Sequence, residues 1–166
     1  MLRSTMVRVG LVLIALTLAT APVAAATSFR FVSPLNSDEE VPPNDSTATG
    51  FASFVISDDE QSVTYRLIVA NINDVTQSHI HCGAPGVNGP VVVFLFGFDP
   101  VGVTENGILA EGTFTDANVI DRPDSLACPG GIANLDDLIE KIRTGNAYTN
   151  VHTIAIPGGE IRGLIR

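Results

Sequence analysis

The chain has no tryptophan, two tyrosines, three histidines and two cysteines. The last two scarcities each close off a class of function. Two cysteines are too few for a cysteine-dense scaffold or a four-thiolate zinc site. Three histidines are too few for a binuclear, histidine-rich metal centre. Basic residues are also sparse, nine lysines and arginines against eighteen acids. That balance disfavours nucleic acid and anionic membrane surfaces as partners. Long apolar runs are confined to the amino terminus, so no other segment has the length and character of a membrane span.

The one long apolar run has the plan of an export signal. Arg3 and Arg8 supply a positive start, Val9 to Thr20 an uncharged apolar stretch, and Ala24-Ala25-Ala26 the small residues that signal peptidase reads. Residues 1–26 are therefore expected to be a signal peptide cleaved near Ala26, and residues 27–166 one secreted domain, extracellular or periplasmic. An uncleaved anchor is the alternative. Removing the two arginines leaves a net charge of −11 on the mature chain. In an oxidising compartment, Cys82 and Cys128 are expected to form a disulfide. Cys82 as a metal ligand beside His81 is the competing reading.

The mature chain reads as short strands punctuated by turns. Ser28–Val32, Thr47–Ser57 and Ser62–Ile72 alternate apolar and polar residues, the last two joined by the acidic turn Asp58-Asp59-Glu60. Val75–His81 follows, then a Gly/Pro-rich loop from Gly83 to Pro90. Val91–Phe96 is a continuous apolar run suited to a buried strand, and Gly107–Thr115 alternates again. Asn134 is a candidate N-cap for a helix over residues 135–144, with Asp136 and Asp137 in its first turn, Lys141 and Arg143 near its end, and Gly145 to stop it. Ala147–Thr153 and Glu160–Arg166 flank the turn Pro157-Gly158-Gly159. The expected fold is an all-β antiparallel sandwich of seven or eight strands, immunoglobulin- or superoxide-dismutase-like, with that one short helix.

Catalytic signatures are missing. No serine sits in a Gly-x-Ser-x-Gly elbow, the glycine-rich turns open no helix, and the paired carboxylates lie in turns or caps that account for them. The histidines are the chemically informative residues. His79 and His81 are two apart on an expected strand and so share a face, while Ile80 points into the core. His152 on a neighbouring strand would complete a three-imidazole set suited to copper or zinc. Closed rings bonded to turn carbonyls are the alternative. Glu160 is either a fourth ligand or, as we expect, one half of a structural ion pair with Arg162 on the same strand face.

Several of these stretches together resemble the CHRD (chordin) domain. They are Leu35–Pro43 (LNSDEEVPP), Thr49-Gly50, His79-Ile80-His81-Cys82-Gly83 with Gly86 and Asn88-Gly89-Pro90, Ala147–Thr153 (AYTNVHT) and Pro157–Gly163 (PGGEIRG). The resemblance spans nearly the whole mature chain and implies an extracellular β-sandwich module of the single-domain microbial type. It lacks the cysteine-rich modules that accompany the domain in animal chordin, so growth-factor antagonism does not carry over. The His-x-His strand is also similar to that of copper/zinc superoxide dismutase, yet three histidines cannot furnish that enzyme's binuclear site. The resulting expectation is a secreted, non-enzymatic binding or structural module with an extracellular or surface partner. A mononuclear metal-binding protein using His79, His81 and His152 is the alternative.

Overall fold

The structure is a computed structural model and describes residues 29–166. The expected signal peptide lies outside the described residues. Seven strands form one antiparallel sheet: β1 (Phe29–Asn36), β2 (Thr49–Ile56), β3 (Val63–Cys82), β4 (Val91–Phe96), β5 (Val103–Phe114), β6 (Ala147–Thr153) and β7 (Ile161–Leu164). Among the described residues a single α-helix, α1 (Leu135–Arg143), precedes β6.

The all-β, antiparallel class is as expected, but the sandwich is replaced by a closed barrel. The circuit β2–β1–β7–β6–β3 returns to β2, which makes five strands a ring. The cause lies in β3. The sequence divides it into Ser62–Ile72 and Val75–His81, whereas the structure runs one strand of 20 residues through both. Asn71 (φ 56°) and Asp74 (φ 52°) take left-handed backbone, which their short polar side chains tolerate. The ladders slip register between Val69 and Ile72 and again between Ile72 and Val75. Such irregularities bend a strand and increase its twist. The bent strand pairs with β2 through its first half and with β6 through its second. On its other edge it carries β5 and then β4, since residues 63–69 pair with both β2 and β5, and residues 78–81 with both β4 and β6.

The barrel interior holds the core. Phe54, Ile56, Val63, Leu67, Ile80, Val151 and Ile161 are fully buried. Helix α1 begins where the sequence places it, with the Asn134 side chain accepting from the Asp137 N–H at 2.9 Å. Its apolar stripe, Leu135, Leu138, Ile139 and Ile142, is buried, and Lys141 donates to the Pro129 carbonyl. Among the described residues no helix is long and apolar enough to cross a membrane.

Cys82 ends β3 and Cys128 lies in the irregular segment before α1. They form a disulfide with Cα atoms 5.5 Å apart, which removes the reading of Cys82 as a metal ligand. The bridge ties that segment to the end of β3, next to His81. Closing a loop of 46 residues in sequence is worth about 4 kcal/mol in the chain-entropy account. We therefore expect Cys82→Ser to lower the unfolding temperature of the oxidised protein and to change little once both proteins are reduced. Thermal denaturation with and without reductant checks this, and equal losses under both conditions would assign the effect to packing instead.

Candidate metal centre

Antiparallel register explains why the histidines meet. Side chains of directly paired residues project from the same face of a sheet. His79 is paired with Phe94 on β4 and with Asn150 on β6, and Asn150 with Arg162 on β7. One transverse row therefore reads Phe94, His79, Asn150, Arg162. The next row sets His81 opposite Tyr148. His152 follows two residues after Asn150 and shares its face. The intervening residues Ile80 and Val151 point into the barrel, so the cluster stands on the outer face of the β3–β6–β7 sheet.

An outer face would normally be wet, yet His79, His81 and His152 are only 3%, 8% and 7% exposed. Three loops roof them. Gly89, in the loop after β3, receives a hydrogen bond on its carbonyl from His81 Nδ1 at 2.8 Å. Pro157, in the β6–β7 turn, does the same for His152 Nδ1 at 2.9 Å. The loop between β1 and β2 contributes Glu40 and attaches to the other two, Asn88 donating to the Val41 carbonyl and Asn44 to the Glu160 carbonyl. Gly89 has to be glycine, because a Cβ there would collide with the backbone carbonyl of Cys82.

These carbonyls fix the tautomers. A carbonyl oxygen only accepts, so His81 and His152 each carry their proton on Nδ1 and present a bare Nε2. A metal-binding histidine usually donates its other ring N–H to such an acceptor. His79 Nδ1 stands 3.1 Å from His152 Nε2, and its N–H is the donor in that contact when all three rings are neutral. Burial above all, with repulsion from the neighbouring rings, pushes His79 down to about 3. Burial likewise pushes His81 to about 4, against the pull of the Gly89 carbonyl, and lowers His152. The rings are neutral lone-pair donors at physiological pH.

One nitrogen from each ring lies within 4.8 Å of the others. Two donors on a tetrahedral ion with bonds of 2.0–2.1 Å sit about 3.3 Å apart. The 3.1 Å contact from His79 Nδ1 to His152 Nε2 is a hydrogen bond, not a spacing of that kind, while His79 Nδ1 holds its proton. Meanwhile His79 Nε2 and His81 Nε2 are buried with no hydrogen-bond partner. The site thus brings together the three histidines singled out from the sequence.

Glu160 and Arg162 behave differently from expectation. Glu160 is neither in the cluster nor paired with Arg162. Its carboxylate accepts from Ser46 Oγ and Thr153 Oγ1, both at 2.6 Å. Arg162 donates to Asn88 Oδ1 and the Val87 carbonyl. Among the described residues the ion pairs are Arg66–Glu111 and Arg143–Glu60. Hydroxyls sit nearer Glu160 than the guanidinium does, and the loop after β3 claims Arg162 first. Arg162 lies 3.4 Å over the Tyr148 ring, and Tyr148 stacks on His81 at 4.7 Å with planes 10° apart. Tyr148, Asn150 and Glu40 are site residues that the sequence reading missed. The alternation Tyr148, Asn150, His152 was the available signal for the first two.

The chain matches the CHRD domain over residues 31–165. The chain belongs to the CHRD family. The match runs from β1 to the end of β7, so the histidine face is part of the CHRD domain itself. No match is found among curated proteins or among solved structures.

Glu40 supplies a pH test of the roof over this CHRD domain's histidine face. Its side chain is buried against Gly159, and its Oε1 has no hydrogen-bond partner. Burial raises the carboxyl to about 7, opposed by Arg162 and by the Val41 N–H. A raised carboxyl binds its proton more tightly folded than unfolded, so its contribution to stability is intact below pH 4.5 and is lost as pH rises towards 7. The loss amounts to about 2–3 kcal/mol. We expect Glu40→Gln to match the parent near pH 4 and to exceed it in stability by that margin at pH 8. Urea unfolding across this range reads the difference, and a gap that does not change with pH would show that the carboxyl does not titrate.

Proposed function

We propose that this CHRD domain is a secreted, non-enzymatic binding module that holds one transition-metal ion, copper or zinc, on His79, His81 and His152. The observation that carries the reading is the pair of buried, unpartnered Nε2 atoms on His79 and His81, beside a His152 Nε2 that carries no proton and accepts only from the neighbouring His79 ring. Buried polar atoms without partners are rare and costly, about 1–3 kcal/mol each. A cation supplies what they lack. Neutral imidazoles suit copper and zinc, and the Nδ1 bonds to Gly89 and Pro157 hold two rings in ligand orientation before any ion arrives. The amino-terminal charge and apolar pattern supports export, and the Cys82–Cys128 bridge supports an oxidising compartment.

A second reading, contact with an extracellular surface partner, draws on the opposite side of the barrel. There Phe51, Ile68 and Ile108 are paired in one row across β2, β3 and β5 and are 43%, 39% and 42% exposed. The two readings are compatible.

Metal analysis of protein purified from an export compartment tests the first. Wild type is expected to carry about one equivalent of copper or zinc, as a three-histidine site takes one ion, and His79→Ala/His81→Ala is expected to carry none. Wild-type protein that holds no metal and takes up none on titration at neutral pH would overturn the metal reading and leave the surface-partner one.

A further inference from the structure

The three imidazoles leave one coordination position to account for, and the structure places one side chain beside it. Asn150 sits directly across from His79 in the β3–β6 ladder and is 3% exposed. Its side chain approaches both the His79 and the His81 ring. Its Oδ1 nonetheless has no hydrogen-bond partner, although the atom is buried. An amide oxygen is an acceptor only. His81 Nε2, with the ring's proton committed to Gly89, is an acceptor too. His79 Nε2 joins them when that ring's proton faces His152. Three buried lone-pair atoms thus share one small region of the outer face, and none of them can satisfy another.

Resting on the reading of the histidines as a metal site, we propose that Asn150 Oδ1 is the fourth donor, making the centre a set of three nitrogens and one oxygen. An uncharged amide oxygen suits a divalent ion and adds no negative charge. It is a harder donor than a thiolate or thioether, so the set favours Cu2+ and Zn2+ over Cu+. It also explains why a polar residue stands here at all. A leucine of nearly the same shape would leave no buried oxygen unsatisfied, so in the metal-free protein Asn150 is a stability cost.

Co2+ serves as the probe, because its visible ligand-field bands report the number and type of donors. We expect wild type to bind Co2+ in a four-coordinate site. Asn150→Leu is expected to bind it at least about 10-fold more weakly, since loss of a mere outer-shell partner commonly costs about 10–100-fold. Its bands should be altered, and its metal-free stability equal or higher. Asn150→Asp, which keeps an oxygen in place, should restore both affinity and bands. Independently of any variant, the side-chain NH2 resonance of Asn150 in wild-type protein should shift on saturation with Zn2+. Weaker binding by Asn150→Leu with unchanged bands would make Asn150 an orienting group for the rings and overturn the proposal. Unchanged affinity, or an Asn150 amide resonance that ignores Zn2+, would overturn it as well. Wild type that binds neither ion removes the histidine site itself, whereas wild type that binds while Asn150 proves indifferent removes only the fourth donor.

Discussion

The register between β3 and β6 is the constraint on which the rest of this molecule depends. Residues 75–82 of β3 alternate Ile80 and Ser78 inward with His79 and His81 outward, and β6 alternates Thr149 and Val151 inward with Tyr148, Asn150 and His152 outward. A slip of one residue would send imidazoles into the barrel and isoleucine into the roof loops. Both faces of this ladder are buried, and every residue of β6 is buried. Such a slip would therefore be penalised twice, by stranded polar groups inside and by misfit beneath the loops. The fold consequently specifies the histidine face as firmly as it specifies its core.

A buried polar face needs support, and it comes from the loops more than from the sheet. The loop from Gly83 to Pro90 is held by Arg162 through Val87 and Asn88, rests against Tyr148 through the Gly89 N–H, and is anchored at its start by the Cys82–Cys128 bridge. It then offers the Gly89 carbonyl to His81. Arg162, Tyr148 and His81 form a continuous stack, with the cation on one ring and the imidazole beside it. A cation near His81 further disfavours a proton on that ring. Burial and charge keep this imidazole neutral, and the hydrogen bond to Gly89 keeps it oriented.

How much of this was legible beforehand follows the range of each interaction. Local signals carry the helix and most of the strands. The Asn134 cap, the amphipathic spacing of Leu135 to Ile142 and the strand Ala147–Thr153 are decided by neighbours a few residues away. The common face of His79 and His81 follows from the two-residue period of a strand. Barrel closure was not legible, because it depends on Asn71 and Asp74 bending one strand where two were expected. The Glu160–Arg162 pair failed for a related reason. Sequence spacing assigns faces, but Ser46, Val87 and Asn88 reach those side chains from distant parts of the chain, and Thr153 reaches Glu160 across the β6–β7 turn. Roles such as that of Glu40, set by burial under a loop contact, leave no local trace.

The centre's chemistry rests finally on a count of protons rather than on distances alone. If these rings only served the fold, their lone pairs would be expected to meet donors, since the sheet and loops around them are rich in hydroxyls and amides. Instead several of the nearby donors are engaged elsewhere. Arg162 serves Val87 and Asn88, Asn88 serves Val41, and the Gly89 N–H serves Tyr148. The protons on Nδ1 of His81 and His152 point away from the cluster, towards carbonyls. What converges is therefore a set of acceptors in a shielded place, held there by an architecture that commits its donors to other bonds. Burial has lowered the affinity of His79 and His81 for protons far below neutrality. On the proposed reading, a borderline divalent ion would not compete with protons there, and it would satisfy several lone pairs at once where a single hydrogen bond satisfies one.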